Sequence, residues 1–170
     1  MKIEKIGLDA IDQLQKISKH TFYETFAAQN EEENMQQYLA EGFSKDKLTL
    51  ELQNIDTEFY FASIDEQVVG YLKINFGQAQ TELQGEKSLE IERIYVTKEY
   101  HGKNVGQLLY DKAIEVAKNK QMNFVWLGVW EENPRAINFY KKNGFVAFDK
   151  HTFKLGNDAQ TDIMMKLQLK

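Results

Sequence analysis

No cysteine occurs in the 170 residues. Disulfide scaffolds, thiolate metal sites and a cysteine nucleophile are therefore excluded. Positive charge is not in excess. There are 21 Lys and Arg against 26 Asp and Glu, a formal net charge of -5. A nucleic-acid partner needs clustered cations for its phosphates, so none is expected. No apolar run approaches the roughly 18 residues of a membrane span. The start, MKIEKIGLDAIDQLQKI, lacks the uninterrupted apolar core of a signal peptide. The expected location is cytoplasmic, with no membrane partner. His20, His101 and His151 stand far apart without ligand-like spacing, and no metal site is expected.

What is present suits one soluble globular domain over residues 1–170: 42% hydrophobic, 12% aromatic and 28% charged. KIEKI at 2–6 reads as a short strand. Apolar residues from Asp9 to about Ala28 recur at helical spacing. Asn30 and the carboxylates Glu31–Glu33 start a second helix that ends near Gly42. Ser44 caps a third, to Gln53. EFYFASI (58–64) and VVGYLKINF (68–76) read as a hairpin, and 78–87 as a loop. SLEIERIYV (88–96) is the strongest strand. Simple alternation puts Leu89, Ile91, Arg93 and Tyr95 on one side, and Glu90, Glu92, Ile94 and Val96 on the other. A helix over 104–119, a strand over 123–130 and a helix opened by Asn133-Pro134 follow. That helix ends at Asn143-Gly144, and FVAFDKHTF and DIMMKLQL close the chain as a strand pair. The order predicts one mixed α/β layer structure.

The stretch YHGKNVGQLL (100–109) joins the strongest strand to a helix. Backbone N–H groups at a helix start lack intrahelical partners, and the helix dipole adds positive charge there. Gly102 and Gly106 carry no Cβ, so a phosphate can approach closely, and Lys103 adds a cation. The spacing matches neither G-x-x-x-x-G-K-[ST] nor G-x-G-x-x-G. Glycine is also common in ordinary strand-to-helix turns.

LEIERIYVTKEYHGKNVGQLLYDKAIEVA resembles motif A of the GNAT superfamily of N-acetyltransferases, which use acetyl-CoA. WLGVWEENPRAINFYKKNGF resembles its motif B, and the element order matches across nearly the whole chain. The block KHTFYETFAAQNEEENMQQYL, the phrases LEIERIYV and WLGVWE, and the ending QTDIMMKL are similar to bacterial spermidine/spermine N-acetyltransferases. The resemblance implies a mixed, mostly antiparallel sheet flanked by helices, with a splayed strand pair forming the acetyl-CoA cleft. The usual turn reads Q/R-x-x-G-x-G/A. Here His101 stands for Gln/Arg and Asn104 for the first of those glycines. Asn tolerates a left-handed backbone better than most residues.

By match, the amides of Ile94 and Val96 would bind pantetheine and polarise the thioester carbonyl. The turn residues His101, Gly102, Lys103, Asn104, Val105 and Gly106 would take the pyrophosphate. Asn133 matches a pantetheine contact, with plain helix capping as its alternative. Phe139 lies beside the cofactor. Tyr140 matches the tyrosine that protonates the leaving thiolate, where position alone suggests a core-edge aromatic. Lys142 would reach the 3′-phosphate, or simply be a solvated helix end.

An alkylammonium has a pKa near 10.4, so about one molecule in 2,500 is neutral at pH 7, a cost of roughly 4.6 kcal/mol. A base or a water chain must remove the proton. Glu92 and Glu90 are the candidate bases, on the face assigned to Ile94 and Val96. Glu24, Glu31 and Glu131 are candidate partners for the ammonium groups of a polyamine, although runs such as Glu31–Glu33 also suit a helix start. The expected activity is direct acetyl transfer to a polyamine. Its alternatives are another amine (a protein N-terminus, an amino acid or an aminoglycoside) or a non-catalytic acyl-CoA-binding regulator. A homodimer is compatible with this.

Overall fold

In the computed structural model, residues 1–82, 85 and 87–170 are described. Of the expected loop at 78–87, positions 83, 84 and 86 lie outside them. The strands are β1 (Lys2–Lys5), β2 (Thr57–Ile64), β3 (Gln67–Phe76), β4 (Ser88–Val96), β5 (Phe124–Trp130), β6 (Val146–Leu155) and β7 (Asp158–Gln168). The helices are α1 (Ile11–Phe26), α2 (Glu32–Gly42), α3 (Lys45–Gln53), α4 (Val105–Asn119) and α5 (Pro134–Lys142). The strands form one seven-stranded sheet in the order β1-β2-β3-β4-β5-β7-β6. All neighbours are antiparallel except β4 and β5. The expected closing pair of strands is β6 with β7, and β7 also pairs with β5. Among the described residues, no helix is long and apolar enough to cross a membrane.

Each sheet face has its own core. On one, α4 lays down Val105, Leu109, Tyr110, Ala113 and Ala117, and Tyr140 of α5 joins them. These residues recur at helical spacing, so one stripe of α4 is buried, flanked by half-buried Ile114 and Val116. On the other face, α1 contributes Leu14, Ile17, Phe22 and Phe26, α2 contributes Met35 and Leu39, and α3 contributes Leu48. Gly70 of β3 allows α4 to sit close. A Cβ there would lie 2.7 Å from the Tyr95 carbonyl oxygen and 3.3 Å from Leu109 Cδ1.

The sheet is divided at its middle. β4 pairs with β5 over Ser88–Glu90 opposite Phe124–Trp126. Beyond that point β4 stays with β3 while β5 follows β7. The strands splay, and a gap opens beside residues 91–96.

A bulge in β4 corrects the simple alternation. Register with β3 shifts between Lys73, opposite Arg93, and Ile74, opposite Ile91, so Glu92 is the extra residue. A bulge resets the side-chain parity of everything after it. Leu89, Ile91, Ile94 and Val96 all face the α4 core. Tyr95 packs in the opposite core, and Arg93 lies over the Phe43 ring there, 5.0 Å from its centre. Glu90 and Glu92 belong to that opposite side, through bonds to Asn75 and Lys73. The expectation that they share a face with Ile94 and Val96 is therefore not met.

Candidate active site

The gap is lined by backbone that has no strand to pair with. Thr97 donates its N–H to the Val69 carbonyl at 2.9 Å, so its amide points toward β3. Amide directions alternate along a strand. The N–H groups of Tyr95 and Arg93 therefore also point to β3, and those of Ile94 and Val96 point into the gap. The Val96 carbonyl shares that direction and accepts a hydrogen bond from the His101 ring at 2.8 Å. Burial pushes the His101 pKa down, against the raising effect of this bond. The ring is thus neutral near pH 7 and pins the turn to the strand it follows. Position 101 therefore serves the turn through its ring.

The turn itself is shaped for close approach. Gly102 has φ +78° and Asn104 φ +68°, both left-handed. Asn104 is the residue that precedes α4, and its side chain makes no capping bond. The first bond of α4 is from Leu108 N–H to the Asn104 carbonyl at 3.2 Å. The amides of Val105, Gly106 and Gln107 consequently lack intrahelical acceptors. A Cβ on Gly106 would have Val96 Cγ2, 3.8 Å away, as its nearest neighbour, and one on Gly102 would meet nothing within 4 Å. Open space over free N–H groups at a helix start fits an anionic phosphate. Lys103 leans over the Tyr100 ring, 5.1 Å from its centre.

Gly106→Val should therefore fold normally, because its side chain meets open space. It should also fill the cradle. We expect acetyl-CoA affinity to fall at least tenfold, about 1.4 kcal/mol, with little change in Tm. Calorimetry on the folded variant checks this, and unchanged affinity would move the cradle elsewhere.

α5 brings Tyr140 under the gap. Its ring packs edge-on to Phe139, centres 5.4 Å apart, and against Phe145 at 5.6 Å. Tyr140 is 6% exposed. Burial, with Tyr110 nearby, pushes its pKa well up, and no hydrogen bond to its hydroxyl contributes. Asn133 caps α5, its Oδ1 accepting from Ala136 N–H at 3.2 Å. Capping is thus the role observed for that oxygen. Lys142 is exposed in the last turn of α5.

The candidate bases are tied up. Glu90 is 3% exposed. Its Oε1 accepts from Thr81 N–H at 2.8 Å and Asn75 Nδ2 at 3.0 Å, and its Oε2 from Thr81 Oγ1 at 2.6 Å. Burial raises its pKa and those bonds oppose the rise. Glu92 accepts from Lys73 Nζ at 2.7 Å and Asn75 Nδ2 at 2.9 Å, and Arg93 Nη2 lies 3.2 Å from its other oxygen. Burial would raise its pKa, but Arg93 and Lys73 outweigh it and hold the carboxyl at about 2. A carboxylate so stabilised is a weak proton acceptor. Glu51 of α3 closes this buried cluster, 3.1 Å from Lys73 and 3.2 Å from Arg93.

Of the expected polyamine partners, Glu24 is engaged. Its Oε1 accepts from Lys98 N–H at 3.0 Å and lies 3.4 Å from His20. This binds α1 to the turn after β4. Glu31 and Glu131 are exposed.

Several groups here carried no sequence signal. Tyr95 is half-buried against Tyr71, ring centres 6.0 Å apart, and its pKa stands far above the usual tyrosine range, chiefly through burial. Tyr140 and Tyr95 belong to opposite cores. Tyr38 stacks on Phe22, centres 4.5 Å apart. Burial raises its pKa, Arg93 lowers it, and Asp162 is among the acids that raise it further. The one cue that could have pointed to Asp162 is a lone carboxylate in an otherwise apolar strand, TDIMMKL.

Residues 11–145 match the model of the acetyltransferase (GNAT) family. The chain is 37% identical over 169 residues to an uncharacterised N-acetyltransferase from Lactobacillus delbrueckii subsp. lactis, covering 99% of this chain and 98% of that one. It is 27% identical over 153 residues to a spermidine N(1)-acetyltransferase from Thermoplasma acidophilum, covering 88% and 90%. Among solved structures, the fold is similar to the PaiA N-acetyltransferase of Thermoplasma acidophilum in complex with coenzyme A. The TM-score is 0.80 at 25% identity, with 99% of each chain covered.

Proposed function

The chain belongs to the acetyltransferase (GNAT) family, and we propose that it acetylates a primary amine of a polyamine, spermidine or spermine, by direct attack on acetyl-CoA. The observation that carries this reading is the splay of β4 from β5 with Tyr140 beneath it. Acetyl-CoA, the co-substrate of the family, supplies the acetyl thioester. The free amides at the start of α4 would hold its pyrophosphate. The Ile94 and Val96 N–H groups point where the thioester oxygen gathers negative charge, the arrangement of an oxyanion hole. The Tyr140 hydroxyl would donate to the sulfur as the carbon–sulfur bond breaks. Its high pKa keeps it protonated throughout the physiological range. Because Glu90 and Glu92 are committed to internal bonds, water at the open side of the gap would carry off the ammonium proton.

The polyamine assignment is supported by the net charge of -5 and by similarity to the archaeal spermidine acetyltransferase. Exposed Glu31 and Glu131 offer further negative charge to a polycation. The test compares kcat/KM for spermidine and butylamine. A partly desolvated charged hydrogen bond contributes about 1.5–3 kcal/mol. Two of them predict at least roughly 10²-fold preference for spermidine at low salt, shrinking as salt rises. Equal values at low salt, or much faster turnover of an amino acid or a peptide N-terminus, would overturn the polyamine assignment.

A further inference from the structure

β5 is buried from Val125 to Trp130 except at Gly128, which is exposed. Parity puts Trp126, Gly128 and Trp130 on the sheet face that carries α1–α3, and Val125, Leu127 and Val129 in the α4 core. Gly128 lies two residues past the last β4–β5 pair. It is therefore a bare patch of backbone beside the gap, between two buried tryptophans, on the side opposite α4. A Cβ added at Gly128 would sit 3.2 Å from Asp162 Oδ2 and 3.3 Å from Met164 Sδ. Asp162, which is opposite Trp130 in β7, thus leans over this patch.

The carboxylate of Asp162 has no hydrogen-bond donor among the described residues, and its charged neighbour is His151, the residue opposite it on β6. His151 is itself engaged by Glu82 and Asp149. A half-buried carboxylate without a donor is costly to the fold. Burial accordingly pushes its pKa up to about 6, with His151 opposing the rise. At pH 7.5 it is still mainly ionised. Such a group lacks what a protonated amine supplies: a positive charge with N–H donors. Gly128 itself is exposed and carries no side chain, so a slender alkylammonium can reach the Asp162 carboxylate from solvent across that backbone.

We propose that Asp162, standing over Gly128 beside the splayed strands, is the specificity-determining carboxylate that holds an ammonium group of the acceptor. This rests on the amine-acetyltransferase reading above. It adds a residue from β7 to an acceptor site that the acidic helical segment alone does not explain.

The test uses Asp162→Asn, which keeps shape and removes charge. Spermidine binding to the CoA-loaded protein is measured by calorimetry at pH 7.5, with kcat/KM and Tm alongside. We expect spermidine affinity and kcat/KM to fall about 10–100-fold, the loss of one charged hydrogen bond. KM for acetyl-CoA should be unchanged and Tm no lower than wild type, because no internal bond is lost. Spermidine affinity within twofold of wild type would overturn the proposal. So would a Tm several degrees lower with a raised acetyl-CoA KM, which marks a structural role. If the wild-type protein itself ignores spermidine, the polyamine reading fails on its own account. The same comparison with the amine it does acetylate then decides for or against Asp162.

Discussion

Replacing Tyr140 by phenylalanine is expected to lower kcat by about 10²–10⁴-fold, the usual contribution of general acid catalysis. The acetyl-CoA KM and the Tm should hardly move. The ring keeps its packing on Phe139 and Phe145, and among the described residues the hydroxyl forms no hydrogen bond that could be lost. Burial raises the pKa of Tyr140 well above 10, whereas a thiol ionises near 8.5. Outright proton transfer to a free thiolate would thus run uphill. The hydroxyl acts by donating a hydrogen bond to sulfur as charge develops there, and the thiolate leaves stabilised by that bond while Tyr140 keeps its proton. The effect therefore appears in kcat and not in binding. Single-turnover rates with saturating acetyl-CoA check this. A wild-type rate with chemistry limiting would remove Tyr140 from the role.

Glu92→Gln is expected to cost stability rather than chemistry. Glu92 and Glu51 balance Lys73 and Arg93 in a cluster sealed under α3. Removing Glu92 leaves Lys73 and Arg93 sharing Glu51 alone, so the cost should lie toward or below the low end of the about 3–5 kcal/mol typical of a broken buried pair. The depression of the Glu92 pKa from 4.5 to about 2 is of the same order, roughly 3 kcal/mol. A depressed carboxylate contributes stability above its unfolded pKa and loses it as pH falls toward the folded one. The wild-type advantage should thus be full above about pH 5 and fade between pH 4.5 and 2. Urea unfolding at a series of pH values reads this directly. At temperatures where the variant stays folded, kcat should lie within a few-fold of wild type. A 10²-fold loss of kcat with normal stability would restore Glu92 as the base.

Most of the architecture was legible because its signals are local. The caps at Ser44 and Asn133, the stripe on α4 and the left-handed Asn104 all rest on neighbours within a few residues. The bulge at Glu92 has no such signature. One extra residue looks like continued alternation, yet it moves Ile94 and Val96 to the opposite face from Glu90. The commitment of Glu24 to Lys98 spans 74 positions, and that of Arg93 to Glu51 spans 42. Asp162 meets Gly128 only because β7 inserts between β5 and β6. Contacts created by topology leave no periodic trace in the chain. For that reason the turn at the start of α4 could be read from the sequence, and the surroundings of Glu92 and Asp162 could not.

The central claim is that the gap beside β4 receives the acetyl thioester through amides that alternate in direction. Amide NMR of the labelled protein during titration with coenzyme A and acetyl-CoA tests it most directly. Val105, Gly106 and Gln107 should shift with either ligand. Ile94 and Val96 should shift further and gain exchange protection with acetyl-CoA, while Tyr95 and Thr97, whose amides point to β3, hold their positions. Shifts confined to other elements, with Val96 and Gly106 unmoved at saturation, would contradict the account.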